Sequence, residues 1–195
     1  FFLYFQLTRY GEVRKHAYDK CQRSNLLITV SPLALPDPKR RLSLVSYPDR
    51  RYEYCHIKTL NLLPAVLASS YATGMGADEA VFHRGDTVTE CAHSNISILK
   101  NGKLLTHPEG RYILSGIARK RLIFTCRALK IPVEERPFTV KELLQADEIF
   151  ITSTTKLCQR AGSLMGRSIG LKDERRAFSI MNEIFAHFSS CDIAQ

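Results

Sequence analysis

Ile57-Lys58-Thr59-Leu60-Asn61-Leu62-Leu63-Pro64 is the stretch on which the reading of this chain turns, because here an extended segment gives way to a helix. The helix is expected over Leu62–Thr73, ending near Gly74 and Gly76, residues suited to the left-handed backbone that closes helices. Downstream, Thr87-Val88-Thr89-Glu90 carries a strand-forming run onto a carboxylate. An amine and a carboxylate of this kind can divide the labour around an aldehyde cofactor. The lysine joins the aldehyde and later moves protons, while the carboxylate keeps a ring nitrogen protonated so that the ring can accept electrons. As isolated residues, Lys58 would be a solvated lysine ahead of a helix and Glu90 a turn carboxylate. The surrounding sequence decides between the two readings.

Working outward, residues 1–8, 26–31 and 41–47 are rich in aromatic and β-branched side chains and are expected as strands. Phe1-Phe2-Leu3-Tyr4-Phe5 reads as a buried strand, being too short for a signal peptide and lacking basic residues before it. Pro32, Pro36 and Pro38 interrupt regular structure. Glu79–His83 and Thr87–Thr89 flank Gly85-Asp86, and Asn95–Leu99 and Lys103–Thr106 flank Asn101-Gly102, a strong hairpin signal. Ser115 can cap a helix over Gly116–Lys130, and Thr139 with Glu142 fits a capping box. Glu148–Thr152 is expected as a strand. The last helix, Glu174–Phe188, places Phe178, Met181, Ile184, Phe185 and Phe188 at helical spacing, the pattern of a core-facing stripe.

The chain has 195 residues, 45% hydrophobic and 24% charged, which is a globular composition with room for a substantial core. No apolar run is long enough to cross a bilayer as a helix. The formal charge of +9 invites a nucleic-acid reading. The basic residues fall in short clusters, Lys39-Arg40-Arg41, Arg50-Arg51, Arg119-Lys120-Arg121 and Arg175-Arg176, without tryptophan or interleaved aromatics. That pattern fits a basic surface or attraction for anionic substrates better than a stacking platform. The cysteines at 21, 55, 91, 126, 158 and 191 form no CxxC pair and no zinc cluster, so no metal is expected. Their near-even spacing raises a repeat architecture, but the patterns around them change from strand-like to helix-like. Reduced thiols in a cytoplasmic protein are the expectation.

Taken in order, the segments resemble the D-amino acid aminotransferase branch of the class IV, or fold-type IV, pyridoxal-phosphate enzymes. The likeness is carried by Tyr4 through Arg9, Arg14-Lys15-His16, Ile57 through Leu67, Glu79 through Arg84, Thr87 through Asn95, Thr106-His107-Pro108, Ile113 through Ile117, Pro132-Val133 and Thr152 through Thr155. It implies an α+β fold, a strand-rich pseudo-barrel flanked by helices, preceded by the last strand of a truncated small domain. Residues 1–31 would be the remnant of that domain, 32–48 a linker and 49–195 the large cofactor-binding domain.

The resemblance also implies roles. Lys58 would be the Schiff-base lysine and proton shuttle, Glu90 the partner of the pyridine nitrogen, and Leu114 the apolar residue against the ring of pyridoxal 5'-phosphate. Ser94 would join the cofactor set, and the amides of Gly116, Ile117 and Ala118 with the Thr154 hydroxyl would hold the phosphate. Arg14 and His16 match an Arg-x-His element that clamps a substrate α-carboxylate. The implied reaction is transamination between a D-amino acid, such as D-alanine, and a 2-oxo acid, in a homodimer without nucleic-acid or membrane partners. A lyase of the same family, aminodeoxychorismate lyase-like, and a truncated inactive homologue are the alternatives. His93 stands where relatives carry a small residue, and Ala118 where many carry threonine. In relatives a smaller domain before Phe1 supplies an arginine for the phosphate and a tyrosine near the substrate. The chain alone is therefore expected to bind the cofactor weakly.

Overall fold

The computed structural model describes residues 1–9, 16–17 and 23–190, which fall into two units, Phe1–Leu35 and Pro36–Gln195. In the first, β1 (Phe2–Arg9) pairs antiparallel with β2 (Ser24–Ser31), with Phe5 opposite Ile28. A two-stranded ribbon has no third layer of its own to cover a face. Leu3, Phe5 and Leu7 accordingly stand exposed beside Leu26, Ile28 and Val30. The opening segment is thus a strand, but not the buried one its composition implies.

The second unit is built in the order β3 (Arg41–Pro48), α1 (Leu63–Gly74), β4 (Glu79–Arg84), β5 (Thr87–Cys91), β6 (Asn95–Lys100), β7 (Lys103–Thr106), α2 (Ile117–Ala128), β8 (Val133–Glu135), β9 (Phe138–Thr139), α3 (Val140–Leu144), β10 (Glu148–Ser153), β11 (Leu157–Leu164), β12 (Arg167–Ser168) and α4 (Glu174–Ser190). The stretch 32–48 therefore contains a strand of the main sheet. Nine strands run β8-β7-β6-β10-β11-β3-β4-β5-β9, and β12 pairs with β11. Strand β3 is parallel to both of its neighbours, β11 and β4. Hairpins supply most of the antiparallel pairs, including β6 with β7 across Asn101-Gly102, both of positive φ.

One short connection dictates the curvature. Strands β5 and β6 are separated in the sheet by β4, β3, β11 and β10. Yet only Ala92–Ser94 join them in the chain, with the Cys91 amide donating to the Ser94 carbonyl at 2.8 Å. A flat sheet would hold these strands several spacings apart, so the sheet must curl into a half-barrel whose seam is this turn.

The concave side is filled by Leu42, Leu44, Val81, Val88, Ile96, Ile98, Ile149 and Ile151. Outside, α2 and α4 cover Leu99, Leu104 and Phe150 with Leu122, Cys126, Ile180, Met181 and Ile184. The expected α4 stripe is in place for Met181, Ile184 and Phe185, whereas Phe178 stands exposed; the side chain of Phe188 lies outside the described residues. Helix α1 rests on β3 and β4 through Ala68 and Ala72, leaving Leu63, Val66 and Leu67 exposed. Among the described residues no helix is long and apolar enough to cross a membrane.

Candidate active site

Glu90 lies one residue before the end of β5, at the seam, and is only 5% exposed. Its oxygens are held from two sides. Oε1 accepts from Arg51 Nη1, while Oε2 accepts from Asn95 Nδ2 at 2.8 Å and from the Leu114 amide at 3.1 Å. Burial pushes the carboxyl up to about 7, against the charge and hydrogen bond of Arg51 and the Leu114 amide, which favour ionisation. A carboxylate titrating in this range is sensitive to any cation brought beside it.

Asn95, the first residue of β6, faces Glu90 across the seam and also donates from Nδ2 to the Leu114 carbonyl at 2.8 Å. Through it the carboxylate is tied to the segment leading into α2. Gly116 caps that helix with extended backbone, and a Cβ there would come within 2.2 Å of Asn95 Oδ1. Only glycine lets the start of α2 approach so closely. Ser115 does not cap the helix as its sequence position implies; its hydroxyl donates to Glu109 Oε1. The first turn of α2 contains no acidic residue, and its cap makes no side-chain hydrogen bond. The amides around Ile117 and Ala118 therefore keep the donor character and positive end of a helix start. A buried carboxylate coupled through one asparagine to a glycine-narrowed helix start suits a ligand with a protonated ring nitrogen and an anionic arm. On that ground the residues fit pyridoxal phosphate.

Other expected residues are placed differently. Lys58 is exposed in the irregular segment before α1, and no hydrogen bond or ion pair joins it to Glu90 among the described residues. Thr154 is exposed in the turn between β10 and β11, Ile117 is exposed, Ala118 is buried, and Leu114 is half-buried. The Ser94 hydroxyl donates to Glu79 Oε2 at 3.1 Å. Glu79 also meets Lys156 Nζ at 2.9 Å and His93 Nδ1 at 2.9 Å, with His93 Nε2 and Lys156 Nζ 2.6 Å apart. His93, which stands where a small residue is expected, closes a Glu79–His93–Lys156 ring. His16 is exposed in the first unit, and Arg14 lies outside the described residues.

Sequence reading overlooked Asp49, Arg51 and Asn95. Arg51 belongs to the Arg50-Arg51 pair that reads as basic surface, yet its side chain is only 13% exposed and is clasped by Asp49. Arg119, in another basic cluster, is 1% exposed and donates to Thr106, the His107 carbonyl and Glu135. The available signal was the acid two residues before Arg51, a spacing that suits a local ion pair in an irregular segment.

The sequence matches the model of the family described as "Amino-transferase class IV" over residues 4–164. The D-alanine aminotransferase of Listeria innocua is 39% identical over 158 residues, covering 78% of this chain and 55% of that protein. The chain thus spans little more than half the length of that relative. Among solved structures, the pyridoxal-phosphate form of the branched-chain amino acid aminotransferase of Thermobaculum terrenum superposes with a TM-score of 0.76 at 25% identity, over 92% of this chain and 64% of that one. A Legionella pneumophila protein whose proposed identity is 4-amino-4-deoxychorismate lyase superposes with a TM-score of 0.72 at 27% identity, over 86% and 65%.

Proposed function

Because the chain belongs to the class IV aminotransferase family, whose cofactor is pyridoxal 5'-phosphate, we propose that it serves transamination between a D-amino acid such as D-alanine and a 2-oxo acid. The observation that carries this reading is Glu90, a buried carboxylate held by Arg51, Asn95 and the Leu114 amide at the entrance to α2. The preference for D-amino acids rests on the D-alanine aminotransferase relative and on the Arg14-x-His16 element.

When bound, the cofactor supplies an aldehyde for covalent capture of amines and a ring that accepts electrons. Lys58 offers the amine for attachment and carries a proton to and from the substrate Cα; its exposure leaves it reachable without disturbing the core. Glu90 holds a proton at the ring nitrogen. The amides around Ile117 and Ala118, with the Thr154 hydroxyl, bind the phosphate, and Leu114 packs against the ring. Ser94 acts through the seam turn, which its bond to Glu79 fixes. Arg14 and His16 receive the substrate carboxylate. A second copy of the chain completes a homodimer against the exposed apolar face of α1.

The test is trapping. The chain is incubated with millimolar pyridoxal phosphate, reduced with borohydride and mapped by mass spectrometry. The adduct is expected on Lys58 and lost in Lys58→Ala; labelling confined to other lysines would sink the reading. Pyruvate formed from D-alanine only when 2-oxoglutarate is present then marks transamination. Turnover of 4-amino-4-deoxychorismate without an amino acceptor favours the lyase, a reading supported by the Legionella likeness.

A further inference from the structure

The roles assigned above leave one buried cation of the site without a task. Arg51 reaches from Asp49 to Glu90, and its guanidinium is fixed on every side. Nε and Nη2 donate to the two oxygens of Asp49 at 2.9 and 3.0 Å, and Nη2 also donates to the Tyr112 carbonyl at 3.1 Å. One face lies 4.5 Å from the centre of the Phe82 ring, and Nη1 donates to Glu90. Asp49, whose side chain is fully buried, is braced further by Thr89 Oγ1 at 2.9 Å and Arg84 Nε at 3.2 Å. Arg84 in turn faces Glu53 at 3.9 Å.

The charges decide what this arrangement does. A lone arginine against Glu90 would fix the carboxylate but cancel its charge, leaving little to attract a protonated ring nitrogen. Asp49 offsets Arg51, and Glu53 faces Arg84, so the guanidinium can anchor Glu90 while, with Glu90 ionised, the five groups together keep one negative charge. We propose that Arg51, oriented by Asp49, is a positioning residue for the cofactor site: it acts through Glu90, aiming that carboxylate and favouring its charged form against burial without cancelling its charge. The role rests on reading Glu90 as the nitrogen partner.

Support comes from the balance at each group. Burial would raise Asp49, but the hydrogen bonds and charge of Arg51 outweigh it and hold Asp49 below its usual range. Burial would lower Arg51, and Asp49 with Glu90 raise it instead. The thiols of Cys55 and Cys91, which feel the same charges, are pushed up by burial and stay neutral around pH 7. Burial acts most strongly on Glu90, and against it Arg51 favours ionisation while Asp49 opposes it.

The experiment needs no bound cofactor, so its failure is separable from failure of the trapping test. Chain labelled with carboxyl-13C glutamate is titrated by NMR, the Glu90 resonance being assigned by its loss in Glu90→Gln. The wild-type midpoint is expected near 7. Arg51→Met should raise it by at least one unit, and Arg51→Lys, which keeps the charge and loses the fork, by less. Asp49→Asn should lower it, because the guanidinium then acts unopposed. A Glu90 midpoint unmoved in folded Arg51→Met, or in Arg51→Lys should the methionine variant not fold, would overturn the proposal. So would a rise in Asp49→Asn.

Discussion

Gly116 shows how much of a site can rest on a missing side chain. Its backbone is extended and free of strain, so an alanine is conformationally acceptable there. The obstacle is Asn95 Oδ1 at 2.2 Å from the would-be Cβ. Asn95 cannot swing aside freely, because its Nδ2 serves both Glu90 and the Leu114 carbonyl. Gly116→Ala should therefore cost about 2 kcal/mol of stability, measured by urea unfolding, through the hydrogen bonds Asn95 must surrender. Gly116→Ala combined with Asn95→Ala should lose little beyond Asn95→Ala alone. Lys58 and Glu90 stand out in the sequence because each sits in a distinctive local run. Arg51 does not, because its meaning depends on Asp49, Phe82, Glu90 and the Tyr112 carbonyl, of which only the first is near in the chain.

At the scale of elements, local chemistry told most where it was self-contained. Thr139 and Glu142 do form the capping box expected of them, Thr139 Oγ1 accepting from the Glu142 amide at 3.1 Å and Glu142 accepting from the Thr139 amide at 3.0 Å. Arg136 adds a hydrogen bond to Glu142 at 2.7 Å, and that bond chiefly holds this carboxyl down at about 2. Thr139→Ala should cost about 1 kcal/mol, a fall in Tm of about 3 °C in a thermal melt, since α3 has too few residues to persist uncapped. Strand β11 escaped the sequence reading for the opposite reason. Leu157-Cys158-Gln159-Arg160-Ala161-Gly162-Ser163-Leu164 lacks the β-branched alternation of an ordinary strand. It is stabilised by distant groups: Arg160, 2% exposed, lies over the Phe178 ring at 4.1 Å and 3.7 Å from Glu148. Gly162 is needed where the register with β3 shifts, because a Cβ there would press within 3.2 Å of Arg41.

For the whole molecule, α1 poses the main question of assembly. It buries only Ala68 and Ala72 and turns Leu63, Val66 and Leu67 outward, the reverse of a helix that ends at its own core. If a second copy covers this face, Val66→Glu should shift the chain from dimer to monomer in sedimentation velocity while leaving its far-ultraviolet circular dichroism unchanged. A wild-type chain that sediments as a monomer at high micromolar concentration would end the homodimer reading. The α+β class and most strands of the half-barrel could be anticipated from the sequence. The strand order could not, since β3 finds its two parallel partners through long-range pairing.

That pairing has a bearing on how the protein is made. As the chain leaves the ribosome, β3, β4 and β5 emerge early and can associate, but the side of β3 meant for β11 stays bare until almost the whole of the second unit has been synthesised. An unpaired strand flank rich in leucine and valine invites misassociation during translation. Here it begins with Arg41, whose charge guards the nascent flank until Glu174 arrives to pair with it.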